Sequence, residues 1–193
     1  MNNSGLGFCE YKNASSENLA VKSITFKFFD KDGVMIASSD MPSYSRDYLE
    51  SGASGFALDT QASFGSQISS KEEISKIDTI INFEKATEDD NTSLPVGDVE
   101  ITNNYDYNVS GFAGTAVVTN PYDKDVEYYA MLAGMYNKKG KLIGVMDSLA
   151  SEGISAGTKA RCTAWWLPDS REIPDKVVSV KASAKVTSFV DEN

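Results

Sequence analysis

The residue types that do chemistry are sparse in this chain of 193 residues: two cysteines, Cys9 and Cys162, and no histidine. Triad-type nucleophilic catalysis needs a base beside the nucleophile, ordinarily histidine. Zinc sites draw on several closely spaced Cys and His ligands, and two distant cysteines cannot supply them. Nor can they form a disulfide framework. Both alternate with polar neighbours, on the apolar side of their segments. They are expected to be buried, unreactive thiols. Carboxylates are the other candidates. Asp147 and Glu152 are the residue types that glycoside hydrolysis uses in pairs, yet an acidic chain supplies many such pairs and no spacing makes these two converge. Asp30-Lys31-Asp32-Gly33 is a fragment of a calcium-loop pattern that lacks the distal Glu and the other oxygen ligands. Asp and Gly in a hairpin turn account for it without a metal. Glu88-Asp89-Asp90 is expected to be a solvated acidic stretch. The expectation is therefore no catalytic residue, no metal, no cofactor and no enzyme.

What remains is recognition by a surface. Val126–Tyr136 is apolar on both faces of a strand pattern. If Tyr129, Met131 and Met135 point inward, then Tyr128, Leu132 and Tyr136 point outward. Alternation through Thr158–Trp166 turns Ala160, Cys162, Ala164 and Trp166 one way and Trp165 the other. An outward group of Tyr128, Leu132, Tyr136 and Trp165 predicts a surface for a protein or a glycan. Packing against the first half of the chain, self-association, or covering by the strand's own loops are the alternatives.

Charge narrows the partners. The net charge is −10, from 18 basic and 28 acidic residues. Residues 87–98 alone hold Glu88, Asp89, Asp90 and Asp98 and no basic residue. This balance repels phosphate backbones and anionic lipid, so nucleic acid is not an expected partner. No apolar run reaches the roughly 18 residues of a transmembrane helix. The first 20 residues lack the charged start and apolar core of a signal peptide.

The elements that position these residues come in two copies. Gly7-Phe8-Cys9-Glu10-Tyr11-Lys12-Asn13 aligns with Gly114-Thr115-Ala116-Val117-Val118-Thr119-Asn120 at an offset of 107. The same offset carries Ile24 onto Met131, Phe28 onto Met135, Gly33 onto Gly140 and Asp40 onto Asp147. Phe56 and Leu58 align with Cys162 and Ala164 at 106. Ile77, Ile81 and Phe83 align with Val178, Ala182 and Ala184 at 101. Phe26–Ile36 reads as a hairpin with a polar turn closed by Gly33, and Met135–Ile143 is its counterpart. Val178, Val180, Ala182, Ala184 and Val186 alternate with polar residues, which predicts a strand with one wet face. Short helical turns are expected at Glu72–Lys76 and Asp169–Ile173. The fold class is all-β, two tandem immunoglobulin-like β-sandwich domains at 1–86 and 99–193, joined by an acidic linker at 87–98. The second copy has an opening strand at Val99–Thr102. Its counterpart would lie before Met1, so the chain is expected to be a trimmed segment or to present an open sheet edge.

Phe26-Lys27-Phe28-Phe29-Asp30 with Lys31-Asp32-Gly33 resembles the motif that names the FxLYD domain. The second copy, Ala133-Gly134-Met135-Tyr136-Asn137 with Lys138-Lys139-Gly140, departs from it at the first Phe and the final Asp. Asn13 and Asn120, each closing a strand, also fit that family. The resemblance implies an immunoglobulin-like sandwich found on secreted proteins or lipoproteins of bacteria, mostly without an assigned activity. On it rests the expected role: a non-catalytic extracellular binding, adhesion or spacer module at the bacterial cell surface, with a possible lipid anchor upstream. The alternative is a carbohydrate-binding accessory domain of a larger secreted enzyme.

Overall fold

The computed structural model describes residues 4–40, 42–63, 73–105, 111–148, 153–165 and 177–190. The protein is all-β. In the first half the strands are β1 (Ser4–Lys12), β2 (Leu19–Phe29), β3 (Met35–Ser39), β4 (Ser43–Tyr44), β5 (Tyr48–Leu49), β6 (Ser54–Ser63) and β7 (Lys76–Lys85). The second half holds β8 (Ser93–Leu94), β9 (Val96–Tyr105), β10 (Gly111–Thr119), β11 (Val126–Tyr136), β12 (Leu142–Asp147), β13 (Lys159–Trp165) and β14 (Ser179–Phe189). The first half forms two antiparallel sheets, β1-β6-β4 and β3-β2-β7, with β5 also on β2. The second forms one sheet in the order β8-β14-β11-β12-β13-β10-β9. Asp147↔Trp165 is the one β12–β13 pair among the described residues.

Alternation explains the strands. In β2 the residues Ile24, Phe26 and Phe28 are buried while their neighbours are half-buried. They pack with Tyr11, Val21, Leu49 and Ala57 as the core of the first half. Met131, Ala133 and Met135 on β11 do the same in the second half, with Ala116, Val118, Cys162 and Ala164.

The same ladders recur. β1–β6, β2–β3 and β2–β7 correspond to β10–β13, β11–β12 and β11–β14. The offset of 107 holds for the first strands and the hairpin, but the later strands align differently. Cys9 faces Ala57 and Ala116 faces Cys162, so β6 and β13 correspond at 105 rather than 106. Ile24 faces Ile81 and Met131 faces Ala184, so β7 and β14 correspond at 103 rather than 101. The first correction matters because a one-residue slip turns every side chain to the other face of its sheet. Phe56 and Leu58 are therefore not the counterparts of buried Cys162 and Ala164. They point out of the first half's own core.

The stretch expected to be a linker is largely structure. Ser93 and Leu94 pair with β14, Leu94 is fully buried, and the Val186 N–H donates to the Thr92 carbonyl at 2.8 Å. What connects the halves is the short acidic turn around Glu88–Asp90. There the Asp90 carboxylate accepts from the Thr87 N–H at 2.7 Å and hydroxyl at 2.8 Å, and from Lys22 at 3.2 Å. The Glu72–Lys76 turn falls partly outside the described residues, and Lys76 opens β7. Glu152, Trp166 and Asp169–Ile173 lie outside them altogether.

Two polar devices repeat with the strands. Asn13 is buried, and its Nδ2 donates to the carbonyls of Glu17 at 2.7 Å, Leu49 at 3.0 Å and Glu50 at 3.2 Å. Its Oδ1 accepts from the Ser15 N–H at 2.9 Å. Asn120 makes the same pattern with Lys124, Ile154 and Tyr122. Each ties the end of a strand to the next loop and to a distant one. At the hairpins, Asp30 Oδ1 accepts from the N–H groups of Asp32 and Val34, and Asn137 Oδ1 from those of Lys139 and Lys141. Gly33 and Gly140 complete the turns at φ 78° and 71°. Either Asp or Asn can accept these two bonds, so the exchange within the motif preserves the turn. Replacing Asn13 or Asn120 by Ala strands buried carbonyls, and we expect a loss of roughly 1–3 kcal/mol at either site. Urea denaturation of the two variants checks this.

Candidate functional site

The face of sheet β1-β6-β4 that turns away from its own core carries Phe56 and Leu58 on β6 and Phe8 on β1. It packs on the face of the second sheet formed by β11 and β12. Phe56 and Leu58 are 3% exposed, Leu132 0%, Tyr136 4% and Val145 1%, and together they make a third apolar core between the halves. Gly134 lies at its centre. A Cβ there would stand 2.4 Å from Phe56 Cε1 and 2.9 Å from Leu142 Cδ1, so the phenyl ring rests on the bare backbone of β11. This explains why β11 is apolar on both faces: one faces its own core and the other faces the first half.

Polar contacts flank the apolar centre. Ser45 Oγ and Ser183 Oγ lie 2.5 Å apart, both buried. Lys185 Nζ reaches Asp47 Oδ1 at 2.6 Å and lies 3.6 Å from the centroid of the Tyr44 ring. Lys181 sits over the ring of Tyr136 at 4.9 Å. Ser183 and Lys185 on β14, which alternation assigns to a wet face, therefore turn toward the first half. The Tyr136 hydroxyl is shut from solvent without a well-formed hydrogen bond. Burial, with the Glu10 carboxylate nearby, pushes its titration up. Asp147 is opposite Leu132 on β12, and its carboxyl is raised to about 6 by burial, partly offset by a hydrogen bond from Ser43 of the first half.

The outward group expected from the sequence does not form one surface. Leu132 and Tyr136 are buried in the seam, which is the packing alternative. Tyr128 is 50% exposed near the start of β11, opposite Ser188. Trp165 is half-buried on β13, opposite Ala113 and Asp147. The carbohydrate-binding reading loses the aromatic row on which it depended. Phe56, Leu58 and Gly134, the residues that build the seam, were missed because the offset of 106 placed the first two in the wrong core. The signal was in β11 itself, a strand with no polar face.

The remaining candidates are occupied by structure. Asp30 is held by two backbone amides. Cys9 is half-buried with its thiol raised to about 11 by burial, and Cys162 is buried and raised for the same reason. A thiol so raised is a poor nucleophile at neutral pH. A shallow cleft of about 450 Å³ beside the connection is lined by Arg46, Tyr48, Glu50, Ser93, Pro95 and Tyr122. Its tyrosine hydroxyls are engaged, Tyr48 with Asn18 Nδ2 at 2.6 Å and Tyr122 with the Asn91 and Ser93 carbonyls. No protein-family model and no curated protein matches the chain.

Two outcomes follow for the seam. Phe56→Ala should cost about 3–4 kcal/mol, as for a fully buried phenylalanine, and Gly134→Val should be comparably destabilising because the added side chain displaces that ring. Denaturant midpoints test both. Asp147 gives a pH signature. Its folded-state carboxyl titrates above the unfolded value near 4, so the stabilisation it gives is complete below pH 4 and is lost as pH rises through 6. Relative to Asp147→Asn, the unmodified chain should lose roughly 2 kcal/mol between pH 4 and pH 7, a figure discounted for partial exposure. A difference that does not change with pH would contradict it.

Proposed function

We propose that the two halves are tandem immunoglobulin-like sandwiches and that the chain is a non-catalytic binding or spacer module of a bacterial cell-surface protein or lipoprotein. The seam is the observation that supports this. A spacer holds its ends at a set separation, and a linked pair does so only when the joint is buried and polar-pinned rather than a free linker. Here the joint has an aromatic centre and a Lys–Asp pair at its margin. The resemblance to FxLYD domains supports the surface location.

Spin labels on Lys31→Cys and Lys139→Cys, in a background without Cys9 and Cys162, place one probe on each equivalent hairpin. We expect a single narrow distance distribution. A broad one would count against a rigid spacer. An antibody raised to the chain should label intact cells of the source bacterium; labelling only after lysis would remove the surface assignment.

A further inference from the structure

Among its described residues, the first half lacks an element that the second half has. In the second half the segment from Ser93 to Tyr105 closes one side of the sandwich. Leu94 enters the core from β8, and β9 pairs with β10 while lying against β14. Val96 and Val99 pack on the core, and the β14 residues beneath are covered, Ala184 at 0% and Val186 at 4% exposure. Among the described residues of the first half, no strand does this. Among the described residues, β1, the counterpart of β10, pairs with β6 alone. The counterparts of Val180, Ala184 and Val186 on β7 are Ile77, Ile81 and Phe83. They share the core face with their cross-strand partners Phe28, Ile24 and Val21. Yet Ile77 is 42% and Phe83 38% exposed, and Ile81 is only half-buried.

The backbone points to the same place. The Asn13 N–H donates to Ala53 across the β1–β6 side at 3.0 Å. Alternation then turns the N–H and C=O groups of Lys12, Glu10 and Phe8 to the other edge. In the second half Thr119, the counterpart of Lys12, donates its N–H to the Pro95 carbonyl at 2.9 Å. A row of strand groups without a strand partner among the described residues thus borders a row of exposed core-facing apolar side chains. β1 also carries the seam residue Phe8 and lies beside β12, so a strand added at this edge continues an interface the fold already uses.

We propose that the β1 edge of the first half is a strand-acceptor site, filled by an extended polypeptide segment with the chemistry of Ser93–Tyr105. The donor runs antiparallel to β1, in the register of the β9–β10 ladder. It sets a Val96-like residue opposite Tyr11 and a Glu100-like residue opposite Phe8, and turns apolar side chains onto Ile77, Ile81 and Phe83. Main-chain hydrogen bonds give the affinity and the apolar alternation gives the selectivity. The proposal stands apart from the spacer reading, because the seam holds whether or not this edge is filled.

The test uses the intact chain and a fluorescent peptide of residues 92–105. We expect saturable binding, with slowed amide exchange at Phe8, Glu10 and Lys12, and at least about tenfold weaker binding by a scrambled peptide. Ile77→Glu and Phe83→Glu change exposed positions, so the chain still folds, and either should weaken binding by a similar factor. Equal binding of the scrambled peptide, or no protection along β1, would overturn the proposal. So would β1 amides already protected in the free chain as a dimer, since a second copy would then occupy the edge.

Discussion

The ring of Phe56 lies on the bare backbone of Gly134, and this contact explains much of the rest of the molecule. It requires a glycine on a strand buried on both faces. It requires Leu58, Leu132, Tyr136 and Val145 around it to keep water out. It also fixes the outer face of one sheet as the inner face of an interface, so β1-β6-β4 is covered on both sides. The first half has a small core of its own, and small domains bury a modest fraction of their surface. Sharing a second core with its neighbour adds burial that neither half has alone.

The polar contacts at the margin act differently from the apolar centre. Lys185 is 12% exposed and Asp47 29%, so neither charge is well hydrated, and removing one strands the other. The tyrosine ring under Lys185 compensates part of that desolvation. No cation among the described residues pairs with Asp147, which carries the cost of burial as a raised titration. Such groups bond poorly unless the two halves meet at one angle, so they set orientation where the apolar centre sets affinity. Orientation is what the proposed spacer role asks of this joint.

Much of this was legible in the residues. The paired Asn13 and Asn120, the hairpins ending in Gly33 and Gly140, and the strict alternation in β14 mark a repeated β unit without any structure. The site was less so. Loop lengths differ between the copies, and aligning weakly similar strands by hydrophobicity leaves the register free by one residue. For Phe56 and Leu58 that residue decides whether they face their own core or the neighbour's. The acidic residues at 87–98 also mislead: charge says linker, while Leu94 in their midst is fully buried. A single apolar residue between turn residues carries too little pattern to announce a strand.

We expect the seam to make the two halves one cooperative body. Both tryptophans lie in the second half, and with Cys162 replaced by Ala the sole thiol, Cys9, reports on the first. Denaturation followed by tryptophan fluorescence and by Cys9 labelling measures the two halves side by side. Coincident transitions are expected in the otherwise unmodified chain and separate ones in Phe56→Ser. Separate transitions without that substitution, or a tryptophan curve that Phe56→Ser leaves unmoved, would contradict it.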